Sequence, residues 1–238
     1  MRLLLINPNT SAAITAKVAA AARAVARPDT EIVAVGGRFG GRYIASRAAY
    51  AIAAHAALDA WAAAPAHDVA VLACFGDPGL DGLRELSDRP VLGLADASIR
   101  HACSLGERFA IVTGGERWGP MLEEFVAVRG LGARLAGIRT VAPDGAAIAS
   151  DPAGSIAVLR QACEAAIDED GADVVILGGA GLAGLAPPVG AGLDAPVLDS
   201  VEVAVRLAEA TAGGHAGARL GLDSTGLAAP LAARLALV

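Results

Sequence analysis

Ala70-Val71-Leu72-Ala73-Cys74-Phe75-Gly76-Asp77-Pro78-Gly79-Leu80 is the stretch on which the reading of this chain turns. An apolar run over 69–73 stops at Cys74 and gives way to Gly76, Asp77, Pro78 and Gly79. An apolar run closed by turn residues predicts a strand buried in a parallel sheet. Open parallel sheets bind ligands just beyond the carboxyl ends of their strands. Cys74 therefore stands where such a fold does its chemistry.

The stretch has a counterpart farther along. Leu72-Ala73-Cys74-Phe75-Gly76-Asp77-Pro78-Gly79-Leu80 aligns with Leu177-Gly178-Gly179-Ala180-Gly181-Leu182-Ala183-Gly184-Leu185 at an offset of 105 residues. Pro90-Val91-Leu92 aligns with Pro196-Val197-Leu198 at 106, as Arg2-Leu3-Leu4-Leu5-Ile6 does with Arg108-Phe109-Ala110-Ile111-Val112. Around these anchors, strands are predicted over 3–6, 31–35, 69–73 and 91–94, then again over 109–112, 133–138, 173–177 and 196–198. Helices are predicted over 11–26, 46–63, 80–86, 96–104, 118–128, 154–167 and 201–212, with a last one over 225–237. Thr10 or Ser11 caps the first of them. The expected fold is α/β, with two similar Rossmann-like lobes carrying parallel sheets and related by a pseudo-two-fold axis. The lobes span 1–105 and 106–212, and the tail 213–238 packs back on the first. The strand ends at Asn7, Cys74, Thr113 and Gly179 then face one another across a cleft, which holds the active site.

Composition narrows the function. The 238 residues suffice for one large α/β domain or two small ones. Apolar residues make up 55% but aromatics only 3%, so alanine, valine and leucine do the packing. Arg, Asp or His interrupts every apolar run before it could span a bilayer. The opening run ends at Asn7-Pro8-Asn9, too short for a secretory signal, and reads as a first strand. Net charge is −6, the eighteen arginines are scattered, and stacking aromatics are few, which argues against a nucleic-acid groove. Cys74, Cys103 and Cys163 are too few and too widely spaced for a disulfide framework or a zinc site, and no histidine pair has metal spacing. The compartment is read as reducing and cytoplasmic. Lys17, the one lysine, makes a poor Schiff-base residue for pyridoxal phosphate, and no cofactor is expected.

Two lobes presenting equivalent positions to one small-molecule substrate suit a reaction that is itself nearly symmetric. In racemisation a base takes a proton from one face of a carbon and an acid returns one to the other. Cysteine can serve, because its free pKa of about 8.5 lies within tuning range. Glycines after Cys74 and around Gly179 leave backbone N–H groups free to hold a carboxylate or enolate oxygen, as helix N-termini do. The backbone of Phe75, Gly76 and Asp77 and that of Gly179, Ala180 and Gly181 are the candidates, with Cys74 as acid/base.

At this point Ile6-Asn7-Pro8-Asn9-Thr10-Ser11, Ala73-Cys74-Phe75-Gly76-Asp77-Pro78-Gly79 and Leu177-Gly178-Gly179-Ala180-Gly181 resemble the hydantoin and allantoin racemase branch of the aspartate/glutamate racemase superfamily. The resemblance covers nearly the whole chain. It implies a cofactor-independent racemase with two facing cysteines, often assembled as a homo-oligomer. Its substrate carries the mobile proton alpha to a carbonyl, as a hydantoin, allantoin or an amino acid does. It puts the first cysteine at Cys74, Asn9 and Thr10 in the loop that helps close the pocket, and Thr113 in the counterpart loop. The chain departs from the family's Leu-Gly-Cys-Ala-Gly motif, having Gly179 in place of the second cysteine. Cys103 and Cys163 fall in predicted helices and do not replace it. The loop 36–43 also differs, implying an altered side-chain pocket.

Several outcomes stay open. Cys74 works with a water or another acid beside Gly179, or it exchanges the proton on one face only. Decarboxylation of a malonate-type acid is a third route, since it needs one proton donor. Arylmalonate decarboxylases, in the same superfamily, keep a single cysteine in the second lobe, the mirror of this arrangement. A non-catalytic descendant that binds a small molecule is the last alternative. A catalytic Cys74 is expected to be alkylated at neutral pH faster than Cys103 or Cys163.

Other features read more plainly. Gly179-Ala180-Gly181-Leu182-Ala183-Gly184 fits G-x-G-x-x-G, with Asp199 twenty residues on. Pro187 and Pro188 are expected to cut the following helix short, and the repeat pairs the segment with the cysteine loop instead. His55 and His67 flank the end of the second helix, His101 packs or faces solvent, and His215 lies in the glycine-rich tail. Asp77 either orients the cysteine loop or caps the helix after it. Asp96 and Glu202 sit early in equivalent helices, where acids favour the dipole.

Overall fold

The computed structural model describes every residue except Pro143, Ala212, Gly213, His215, Ala216 and Val238. The expected lobe-to-tail junction at 212/213 and His215 lie outside the described residues.

The first lobe runs β1 (Arg2–Asn7), α1 (Ala12–Val25), β2 (Glu31–Gly36), α2 (Arg47–Ala62), β3 (Val69–Leu72), α3 (Leu80–Leu86), β4 (Val91–Gly93) and α4 (Leu94–Leu105). The second runs β5 (Phe109–Gly114), α5 (Trp118–Val128), β6 (Leu135–Val141), α6 (Gly145–Ser150), α7 (Pro152–Asp168), β7 (Val174–Leu177), α8 (Ala186–Gly190), β8 (Val197–Asp199) and α9 (Ser200–Ala210). A last helix, α10 (Ala229–Leu235), follows. Two four-stranded parallel sheets result, in the orders β2-β1-β3-β4 and β6-β5-β7-β8. Each strand of one sheet has its counterpart in the other, as the repeat required.

The inner strands carry unbroken apolar runs because helices cover both faces of each sheet. Leu3, Leu4, Ile6, Val71 and Leu72 are fully buried, as are Ala110, Ile111, Val112, Val175 and Ile176. The two lobes share one core. The last helix of each crosses to the other, α4 touching β7 and α9 touching β3, and the two helices pack together. Leu94, Ile99, Val201 and Val205 thereby join Leu3, Val71, Phe109 and Ile176 in a single cluster. The lobes join through apolar packing, and the strand ends are left to line the cleft.

Helix starts follow their caps. Ser11, rather than Thr10, caps α1 by accepting from Ile14 N–H, and Ser46 caps α2 through Ala49 N–H. Two differences from expectation have local causes. The stretch through Asp144 and Asp151 ahead of the helix expected from 154, read as a loop, contains α6, because Asp144 accepts from both Ala146 and Ala147 N–H and starts a turn that lacks any apolar period. Pro187 and Pro188 open α8 instead of ending a helix, since a first-turn proline loses no helical hydrogen bond. His55 lies within α2, edge-on to Phe39 at 4.8 Å, as the expected helix over 46–63 has it. The described tail residues lie against the first lobe. Leu231 of α10 is buried with Leu4 and Trp61, and Ala218 N–H donates to the Glu85 carbonyl at 2.7 Å.

Candidate active site

A cavity of about 50 Å³ opens where the two sets of strand ends meet. Cys74, Phe75 and Asn9 reach it from the first lobe, and Thr113, Gly179, Ala180 and Gly181 from the second. These seven sequence candidates are brought together. Asn7, Thr10, Gly76 and Asp77 do not line the cavity. Asn7 stands behind it, its amide donating at 2.9 Å to both Asn9 Oδ1 and Thr15 Oγ1, so that it holds Asn9 in place. Thr10 turns away to line an outer groove, and its N–H ties down the Gly41 carbonyl. Gly76 adopts φ +109, and its carbonyl accepts from Tyr50 O–H at 2.6 Å.

Asp77 does not cap the helix that follows it. Its carboxylate crosses to α4 and accepts from Ala95 N–H at 3.1 Å and Asp96 N–H at 2.7 Å. Residue 93 must be glycine for this, because a Cβ there would lie 2.2 Å from the Asp77 carboxyl carbon. Asp77 thus locks the cysteine loop to the lobe's last helix. Burial pushes its pKa up to about 7, against the two N–H bonds that favour the ionised form.

The two loops match in backbone. Asp77 N–H bonds the Cys74 carbonyl at 3.0 Å, and Leu182 N–H bonds that of Gly179 at 2.9 Å. The N–H groups of Phe75, Gly76, Ala180 and Gly181 have no partner among the described residues. Of these, Phe75, Ala180 and Gly181 line the cavity, which therefore lies between backbone donors able to hold the oxygens of a planar anion. Close approaches fix this arrangement. A Cβ at Gly178 would stand 2.6 Å from the Phe75 ring, and one at Gly181 would stand 2.0 Å from the Gly145 carbonyl oxygen.

Cys74 is buried, and burial followed by the nearby Asp77 carboxylate drives its thiol far above the ordinary value. Without a ligand the sulfur carries its proton. Cys103 is the more exposed thiol, and burial also raises Cys163, to about 12. Opposite Cys74, Gly179 adopts φ +138 and ψ 138, a backbone shape that side chains avoid. Thr113 Oγ1 lies 3.7 Å from where its Cβ would be.

Sequence reasoning missed Tyr43, Trp118, Gly114 and Gly145, all of which line the cavity. Tyr43 comes from the loop between β2 and α2, equivalent in the repeat to the segment holding α6. Its hydroxyl donates to the Gly114 carbonyl and accepts from Gly145 N–H, both at 3.2 Å. The unfamiliar 36–43 loop was the signal, but its target across the cleft was not legible. Lys17 serves structure, its ammonium donating to the Gly181 carbonyl at 2.6 Å, and burial lowers its pKa. Asp199, the acid of the G-x-G-x-x-G reading, is occupied in accepting from Gly184, Val201 and Glu202 N–H. Among the described residues no His, Cys, Asp or Glu group could hold a metal ion, and no helix is long and apolar enough to cross a membrane.

Comparison with known proteins places the chain. A family model described as Asp/Glu/Hydantoin racemase matches residues 3–208. A hydantoin racemase of Paenarthrobacter aurescens is 39% identical over 212 residues, covering 88% of this chain and 90% of its own. The solved allantoin racemase of Pseudomonas fluorescens is 35% identical with a TM-score of 0.84, over 88% of this chain and 90% of that one. An arylmalonate decarboxylase shares the fold at a TM-score of 0.64 and 20% identity, over 91% and 96% of the two chains.

Proposed function

The chain belongs to the Asp/Glu/hydantoin racemase family, and on that footing we propose that it moves a proton at a carbon alpha to a carbonyl, with Cys74 as an acid/base. The substrate is a small cyclic ureide of the hydantoin or allantoin type. The observation that carries this reading is the placement of the Cys74 sulfur at a cavity walled by two loops with unpartnered N–H groups.

The residues divide the work. Phe75 N–H on one side and Ala180 and Gly181 N–H on the other hold substrate oxygens. They are positioned to stabilise the charge that reaches the carbonyl oxygen as the α-proton leaves, an effect worth about 3–4 kcal/mol per donor in comparable sites. Asn9, braced by Asn7, and Thr113 close the pocket at its ends. The proton moves between the α-carbon and Cys74 Sγ, which such a general acid/base accelerates by about 10²–10⁴-fold. No part of this scheme calls on a cofactor. A cytoplasmic homo-oligomer is the form we propose for the enzyme.

The thiol's resting protonation favours one second reading. A neutral buried thiol is ready to donate, and decarboxylation of a malonate-type acid generates a carbanion that needs only a donor. One experiment separates the two. Single enantiomers of 5-methylhydantoin and allantoin are incubated in heavy water, with optical rotation and α-deuterium followed together. The racemase reading expects loss of rotation with deuterium uptake in the wild type, and loss of racemisation in Cys74→Ala. A wild type that exchanges neither compound but releases carbon dioxide from a disubstituted malonate turns the reading to decarboxylation. Inertness in both assays leaves the binding role.

A further inference from the structure

We propose that Tyr43 is the second acid/base group of the site, serving from the second-lobe wall the carbon face that Cys74 does not reach. This rests on the racemase reading above and deepens it.

Three observations carry the inference. The first is the empty position at Gly179, where no side chain can act and where the backbone shape disfavours one. The second is where the Tyr43 oxygen lies. It is bonded to Gly114, at the end of β5, and to Gly145, at the start of α6. Those residues border the Gly179–Gly181 loop: Thr113 approaches the Cβ position of Gly179, and Gly145 that of Gly181. The hydroxyl is therefore seated against the second-lobe residues that line the cavity, although its residue belongs to the first lobe. The third is that the seat is shaped for a phenol. A Cβ at Gly115 would come within 3.2 Å of the Tyr43 oxygen, closer than an ordinary contact, so the glycine there leaves it room.

The loop that delivers Tyr43 is held firmly. Arg38 grips the buried Asp59 of α2 with two hydrogen bonds of 2.8 and 2.6 Å, and Thr10 N–H fixes the Gly41 carbonyl. The phenol's surroundings suit proton transfer in both directions. Burial raises its pKa, while Gly145 N–H and the Trp118 indole favour the ionised form and oppose that rise. A phenol whose oxygen already receives an N–H donor can release its proton without leaving a bare charge.

The proton balance is simple. In one direction Cys74, having first given its thiol proton to water, takes the α-proton as thiolate, the C–H electron pair enters the enolate, and the Tyr43 O–H bond breaks as its proton forms a new C–H bond on the opposite face. Cys74 thiol and Tyr43 phenolate remain, and this pair runs the reverse direction. Loss of the Cys74 proton to water and gain of a proton from water by the Tyr43 phenolate reset the site. No oxidant or reductant is consumed.

The test follows each enantiomer of 5-methylhydantoin separately in heavy water with wild type, Tyr43→Phe and Cys74→Ala. Tyr43→Phe is expected to lose racemisation by about a hundredfold or more, yet keep deuterium exchange, with retained rotation, for the enantiomer whose hydrogen faces Cys74. Cys74→Ala is expected to show the converse, exchanging only the other enantiomer. A loop merely loosened by the substitution would slow both enantiomers alike. Racemisation by Tyr43→Phe within a few-fold of wild type overturns the role of Tyr43 and assigns the proton to water beside Thr113. Loss of exchange for both enantiomers in Cys74→Ala overturns it too, so the inference does not depend on Tyr43→Phe folding. A wild type that exchanges neither enantiomer defeats the racemase reading itself, and this inference with it.

Discussion

Asp77→Asn tests which force rules the cysteine loop. The Asp77 carboxyl is 2% exposed and accepts two backbone N–H bonds, yet burial outweighs them and its pKa stands at about 7. Moving a carboxyl there from its ordinary value near 3.9 corresponds to about 4 kcal/mol, at about 1.4 kcal/mol per pH unit. The folded state favours the protonated acid, so this stability is fully present below about pH 4 and is lost as pH rises through 7. Roughly 3 kcal/mol of it disappears between pH 5 and 8. Asparagine cannot titrate. It keeps one acceptor but sets its NH₂ against the second N–H, at a cost of about 1–3 kcal/mol at any pH. Urea unfolding of both proteins from pH 5 to 8, subtracted point by point, cancels every other titrating group. At pH 5 the variant should be the less stable, and by pH 8 the gap should shrink by roughly 3 kcal/mol, to zero or beyond. A difference that stays constant over this range refutes the argument. It would mean that the two N–H bonds keep Asp77 ionised throughout.

Gly179→Cys, which supplies the family's second cysteine, should fold but lose about 1–3 kcal/mol in urea or thermal unfolding, because φ +138 suits only glycine. Its Cβ would also press on Leu182 Cδ1 at 3.3 Å, which adds to the backbone strain, and unchanged stability would contradict both. Iodoacetamide at neutral pH should label Cys103 first, with Cys74 and Cys163 slow, as peptide mass mapping over time would show. Rapid labelling of Cys74 would mean that its thiolate is stabilised without substrate, contrary to its burial.

The duplicated architecture was legible because buried parallel strands write themselves as short apolar runs, and these recur at 105 or 106 residues. Each run was followed by the turn residues that end it, so the strand ends, and with them Cys74, Thr113 and Gly179, could be placed facing one another. What could not be read is which side chain fills a given space once the lobes meet. The helix-capping carboxylate shows why. In the second lobe Asp199 ends β8 and caps α9 itself, reaching back to Gly184. In the first lobe the equivalent residue is Gly93, and the carboxylate arrives from Asp77 in the cysteine loop. The space is the same, but the chain that fills it differs. A repeat aligned by sequence sees an Asp matched to a Gly and reports a loss, while the fold has kept the contact. The cavity repeats the lesson. Alignment reports a missing cysteine at Gly179, whereas the wall beside it is occupied by the hydroxyl of Tyr43, brought across from the other lobe by a loop with no apolar period to announce it. Duplication preserved the backbone donors in pairs, and the side chains that work between them were free to come from either half. A two-lobed site that has lost one of two matching residues should therefore be searched across the cleft before it is judged incomplete.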